Sequence, residues 1–146
     1  MRKKINIGLG VLALIFVAIQ FVPVERTNPP ITDEVNWANE ETREIAKKAC
    51  FDCHSHETIW PWYSYVAPLS FRIAHHVNHG RENLNFSDWS QPNEDFDEIK
   101  EVMDKGEMPL WDYLLLHSDA KLTPEETEAL LSGLYETYKQ DPPVER

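Results

Sequence analysis

The sequence predicts an all-α fold, and three observations carry that prediction. Apolar residues recur three and four positions apart in several separate stretches, as one face of a helix requires. Capping and stopping residues bracket those stretches. Nowhere do apolar and polar residues alternate long enough to argue for a sheet.

The first element is of a different kind. Met1-Arg2-Lys3-Lys4 is a basic start, and residues 5–24 form a largely apolar run. As a helix, those 20 positions would extend about 30 Å, the thickness of a bilayer core. Basic residues before the run and acidic ones after it predict a cytoplasmic N-terminus and an exported remainder, hence a single-pass membrane protein with its domain outside the cytoplasm. A cleaved signal peptide is the rival reading, but it needs small residues at a cleavage site, and Ala18-Ile19-Gln20 is a poor match. No cysteine directly follows the run, which argues against lipidation. An uncleaved anchor is the preferred reading, with residues 1–4 cytoplasmic and 5–24 spanning. Either reading puts the cysteines where thiols are oxidised unless something captures them.

Residues 25–35 include Pro29-Pro30, whose ring geometry disfavours helix and predicts an extended tether. Residues 36–142 then form one domain of about 100 residues, enough for a single core. Its first helix opens at Asn39-Glu40-Glu41-Thr42, with a capping residue and early acidic residues, and carries Ile45, Ala46, Ala49, Cys50 and Cys53 on one face.

That helix ends in Cys50-Phe51-Asp52-Cys53-His54, the spacing of covalent c-type haem attachment. Two thiols one helical turn apart can each form a thioether to a porphyrin vinyl group, and His54 then supplies the proximal iron ligand. A single motif predicts one haem c per chain. Zinc is a competitor, but Cys50 and Cys53 are the only cysteines, so it would have to recruit His75, His76 or His79. A redox dithiol is another, yet no βαβ pattern surrounds the motif. A disulfide between the pair would close a very small loop and contribute little.

The segment Ile59-Trp60-Pro61-Trp62-Tyr63-Ser64-Tyr65 crowds four aromatics around a proline and reads as a loop. Trp60, Trp62 and Tyr63 are expected to serve as core and as a haem wall, with an indole N–H or phenol O–H donating to a propionate. A second helix starts at Ala67-Pro68, buries Leu69, Ile73 and Val77, and stops at Gly80. A third runs from about Phe96 to Lys105, with Phe96, Ile99 and Met103 on one stripe and Gly106 beyond its end. The last has Thr123 as N-cap, Pro124 first and Glu126 third, and buries Leu130, Leu131, Leu134, Tyr135 and Tyr138.

The sixth iron ligand determines what such a haem does. Met108 lies just past a helix end, before a proline that prevents helix from resuming, and a loop-borne thioether there can reach the iron. Met103 fits the buried stripe of its helix and reads better as core. His75, His76, His79 and His117 are further candidates, each more simply explained as a solvated or hydrogen-bonded histidine. An open position is the remaining alternative.

Charge bounds the partners. The chain carries 14 basic and 25 acidic residues, a net −11. Beyond the basic start, 11 basic residues face 25 acidic ones, a net −14. Such a surface argues against nucleic acid and anionic lipid headgroups, and a redox protein with a basic docking surface suits it. Simple solubility explains the charge equally well.

Several segments together resemble the bacterial haem-binding domain family built around one Cys-x-x-Cys-His motif. They are Ala49-Cys50-Phe51-Asp52-Cys53-His54-Ser55, Trp60-Pro61-Trp62-Tyr63-Ser64, Asn85-Phe86-Ser87-Asp88-Trp89 and Gly106-Glu107-Met108-Pro109. The resemblance covers nearly the whole chain and implies a monohaem domain of cytochrome c-like plan, tethered by a single pass to the bacterial inner membrane and facing the periplasm. Leu122-Thr123-Pro124-Glu125-Glu126 is similar to the opening of the closing helix in that plan, whereas the stretch 55–95 is longer than a minimal cytochrome needs. The preferred function is electron transfer with His54 and Met108 as axial ligands, a carrier rather than an enzyme. The alternative is a haem peroxidase or a gas or redox sensor with an open or displaceable sixth position, in which His75, His76 or Arg72 acts on the distal side.

Overall fold

The computed structural model describes residues 2–145, and of these the side chains of residues 2–4 and 145 are not described. Met1 of the expected basic start thus lies outside the described residues. The chain is mostly helical and divides into two compact units, Met1–Thr27 with Ile59–His76, and Asn28–Thr58 with Val77–Arg146.

The first unit contains helix α1 (Arg2–Ile19), and here the structure corrects the expected membrane anchor. Among the described residues, no helix is long and apolar enough to cross a membrane. α1 has 18 residues and its first three are Arg2, Lys3 and Lys4, so its apolar part covers about 22 Å against the roughly 30 Å of a bilayer core. Past Ile19 the helix gives way to a turn in which the N–H groups of Gln20, Phe21 and Val22 donate three residues back, to the Val17, Ala18 and Ile19 carbonyls, and the Gln20 side chain bonds to Ala67. Its Nε2 donates to the Ala67 carbonyl at 3.1 Å, and its Oε1 accepts from the Ala67 N–H at 2.9 Å. Pro23 lacks the N–H needed to resume helix further on. The transmembrane part of the expected fold falls with this, as does the single-pass inner-membrane placement facing the periplasm that rested on it. In the same unit Trp62–Tyr65 form a 3₁₀ turn within the aromatic segment read as a loop. Arg26 donates to the Ser64 carbonyl at 3.3 Å and lies over the Tyr65 ring, 4.5 Å from its centroid.

The second unit is built on α2 (Glu40–Ala49), which packs chiefly against α7 (Pro124–Gln140). Asn39 caps α2 by accepting from the Thr42 N–H at 2.8 Å. At the crossing, a Cβ on Gly133 would come within 1.7 Å of Thr42 Oγ1, so only glycine lets the helices approach this closely. Thr123 and Glu126 form the expected capping box at the start of α7. Leu130 and Leu134 are buried as expected, but Tyr135 is 49% exposed and Leu131 only half-buried. The core joins them to Val35, Ile45, Ala46, Phe51, Leu84, Phe86, Trp89 and Ile99.

Residues 28–35 contain part of the segment read as a tether, and they run along residues 86–89. The Val35 N–H donates to the Phe86 carbonyl at 3.2 Å, and the Trp89 N–H to the Asp33 carbonyl at 2.7 Å. Two-residue strands at Pro92–Asn93 and Val144–Glu145 form a parallel pair that no alternation announced. Helix α5 (Phe96–Asp104) is capped by Asp95 and ends before Gly106, whose φ of 68° is the left-handed conformation that favours glycine. One further helix, α4 (Leu69–Asn83), has residues in both units. It does not stop at Gly80. That glycine serves a close contact described below, and the helix runs one turn beyond it.

Candidate functional site

The turn that carries the cysteines continues directly from α2. The Cys50 N–H donates to the Ala46 carbonyl at 2.7 Å, and a short helix α3 (Phe51–His54) follows. Within it the N–H groups of Cys53 and His54 both donate to the Cys50 carbonyl, at 3.1 and 2.9 Å. The two thiols therefore stand one turn apart, unbridged and each partly buried. Burial pushes the Cys50 thiol up to about 12, with Cys53 adding to the effect. Cys53 is likewise pushed up to about 12, first by burial and then by the Asp52 charge, while Arg81 opposes the shift. Both remain protonated thiols at neutral pH.

His54 is held by the residues around Gly80 and Leu84. Its Nδ1 lies 3.0 Å from the Leu84 carbonyl oxygen. A carbonyl only accepts, so Nδ1 carries the proton and Nε2 is left with a lone pair. Burial holds the imidazole pKa below its ordinary value, with the Leu84 and Gly80 carbonyls opposing and His79 reinforcing that shift. A neutral imidazole with Nδ1–H donated to a carbonyl is the arrangement metal-ligating histidines adopt.

Gly80 explains how α4 comes so near. A Cβ there would lie 2.4 Å from the Cys53 carbonyl oxygen and 3.1 Å from Cys53 Cβ. Further contacts fix the turn from outside. The His54 carbonyl accepts from the Phe86 N–H at 2.9 Å, and Arg81 Nε donates to the Ser55 carbonyl at 2.7 Å. Another Arg81 nitrogen donates to Thr58 Oγ1 at 2.8 Å, and that hydroxyl donates to the Asp52 carbonyl at 2.8 Å.

On another side of the turn stands helix α6 (Trp111–Leu114). Tyr113 Oη donates to Asp52 Oδ2 at 2.8 Å, inside the motif itself. Burial, then the Asp52 charge, raises the Tyr113 pKa, so the phenol stays protonated and remains a donor. Its ring stacks on His117, with centroids 4.2 Å apart and planes 10° from parallel.

The structure places Met108 in the loop between α5 and α6, where it lines a cavity of about 250 Å³ with Met103, Leu114 and Leu122. Met103 also packs against the core. His79 Nδ1 lies 2.8 Å from the Asn83 side-chain nitrogen. Trp60, Trp62, Tyr63, Arg72, His75 and His76 belong to the first unit. There Trp62 meets Tyr63 edge-on, and the Trp60 N–H is buried without a hydrogen-bond acceptor. Among the described residues, no group of three or more His, Cys, Asp or Glu side chains is gathered to hold a metal ion.

The sequence reading gave Gly80 only as a helix stop and did not single out Leu84, Arg81 or Tyr113. A glycine inside a helical stripe was the one signal available for the first, since Gly there costs stability unless a contact requires it.

A family model described as a haem-binding domain matches residues 14–136, most of the chain and all of the site just described. The protein belongs to the haem-binding domain family. Its cofactor is accordingly haem, as the Cys50–His54 spacing suggested. No curated protein and no solved structure matches the chain significantly. The site fits the family's cofactor on the geometry of this domain itself: two unbridged thiols one turn apart, beside a neutral imidazole whose Nε2 is left to ligate.

Proposed function

We propose that this haem-binding domain carries one covalently attached haem c, held by Cys50 and Cys53 with His54 Nε2 as proximal ligand, and that it works as an electron carrier with Met108 as the sixth ligand. The observation that carries the reading is the His54 Nδ1–H donation to the Leu84 carbonyl at 3.0 Å. It fixes the tautomer and ring orientation before any metal arrives and makes Nε2 a better donor. When bound, haem supplies a one-electron couple, and a His/Met ligand pair raises its potential.

The chain's own residues do the remaining work. α2 and α3 hold the two sulfur atoms one turn apart, and Gly80 lets α4 press on that turn so that the Leu84 carbonyl reaches the imidazole. The Met108 loop leaves α5 at a left-handed glycine and belongs to the same unit as His54. The charge of −11 supports a redox protein with a basic docking surface as the partner.

Visible spectroscopy of the ferric, haem-loaded protein tests the ligand assignment. The weak far-red band of methionine-ligated ferric haem is expected in the parent protein and should vanish in Met108→Ala. A parent protein without that band would refute Met108 as ligand.

A further inference from the structure

Met108 sits between two anchored stretches of chain. On one side, the Glu107 N–H donates to the Val102 carbonyl at 2.9 Å and the Gly106 N–H to the Met103 carbonyl at 3.0 Å, tying the loop to the end of α5. On the other, Leu110 accepts from the Leu114 N–H at 3.1 Å, Tyr113 from the His117 N–H at 3.1 Å and His117 from the Ala120 N–H at 3.0 Å. Residues 110–120 thus form a connected piece, and Pro109 alone separates it from Met108. Where that piece stands decides where the thioether stands.

Tyr113 contributes a side-chain bond from this piece to the haem-attachment turn. Its Oη donates to Asp52 Oδ2 at 2.8 Å, 61 residues away in sequence. Both partners are held independently of the bond. The Asp52 backbone carbonyl accepts from Thr58 Oγ1 at 2.8 Å, and the Tyr113 ring is stacked on His117. Little further ordering is needed to make the contact, so its strength goes into holding the two segments together. A phenol donating to a carboxylate is among the stronger side-chain hydrogen bonds.

We propose that the Tyr113–Asp52 hydrogen bond is a latch that ties the Met108 loop to the Cys50–His54 turn, which makes Tyr113 a positioning residue for the sixth iron ligand. The proposal rests on the His54/Met108 reading above. The latch joins the segment that follows Met108 to a residue inside the motif that carries His54. With the latch in place the thioether is presented at a fixed height, and an external ligand competes poorly. Without it the loop still closes through its backbone but spends more time away from the iron.

Imidazole titration of the ferric, haem-loaded protein tests this, with the far-red band as readout. In Tyr113→Phe the ring and its stacking on His117 are kept and only the hydroxyl is lost. The imidazole concentration at half-displacement should fall about tenfold or more, the weight of one hydrogen bond to a charged group. Asp52→Asn, which retains an acceptor, should shift it less. Amide exchange of residues 110–117 in the same haem-loaded variants should quicken in Tyr113→Phe and follow the same order. If the parent shows the far-red band but Tyr113→Phe binds imidazole like the parent, the latch proposal is overturned while the Met108 ligation stands. Faster exchange with unchanged imidazole binding would reduce the bond to ordinary packing and overturn the proposal equally. If the parent lacks the band altogether, the Met108 reading fails and the proposal goes with it.

Discussion

His54 Nδ1 and the Leu84 carbonyl oxygen lie 3.0 Å apart, and that bond decides which nitrogen of the imidazole can reach a metal. The acceptor belongs to the backbone just beyond α4, so the His54 imidazole is oriented by main chain and not by another side chain. Replacing His54 by Ala removes the proposed ligand but leaves both thiols. Mass spectrometry of His54→Ala should still detect covalent haem in a reduced fraction of molecules, whereas the visible spectrum should lose its six-coordinate low-spin character.

Gly80→Ala should damage the site from outside the motif. The new Cβ would lie 2.4 Å from the Cys53 carbonyl oxygen, a backbone atom on a turn that hydrogen bonds hold from several directions. Overpacking of this kind costs roughly 1–3 kcal/mol. Denaturant unfolding should record a loss of that order in the haem-free protein, and the displaced α4 should carry the Leu84 carbonyl away from His54. A variant as stable as the parent would show that α4 can shift without cost.

The start of α7 should make stability depend on pH. Glu126 Oε1 accepts from Lys48 Nζ at 2.6 Å, and Oε2 accepts from the Thr123 N–H at 2.8 Å. These bonds, Lys48 first, hold its carboxyl below its ordinary value of 4.5. A carboxylate with a depressed folded pKa adds stability above its unfolded pKa and loses it as pH falls through the folded one. The stability difference between parent and Glu126→Gln should therefore be full at pH 7 and shrink as pH drops below about 4.5. Thermal unfolding at a series of pH values checks this, and a gap that persists unchanged to pH 2 would contradict it.

Side chains with a single structural meaning were legible in the sequence. Asn39 and Thr123 do cap helices, and Gly106 does end one, because a cap needs a particular side chain at a particular place. Gly80 has two possible meanings, a helix stop or a close contact, and only the neighbouring Cys53 backbone chooses between them. The apolar run at residues 5–24 misled for a similar reason. Hydropathy counted positions across Gln20, where α1 has already given way to a turn whose side-chain bonds go to Ala67, far away in the chain. At the site, the spacing of Cys50, Cys53 and His54 was visible because it is a matter of residue type and position alone. The Leu84 carbonyl was invisible because every residue has one, and Tyr113 because its partner lies 61 residues away.

Mass spectrometry of the intact protein made together with haem-maturation machinery tests the central claim most directly. The predicted result is a mass gain of one haem that resists acid-acetone extraction and is lost in the Cys50→Ala, Cys53→Ala double variant. A parent protein that binds haem yet releases all of it on extraction would contradict covalent attachment through Cys50 and Cys53.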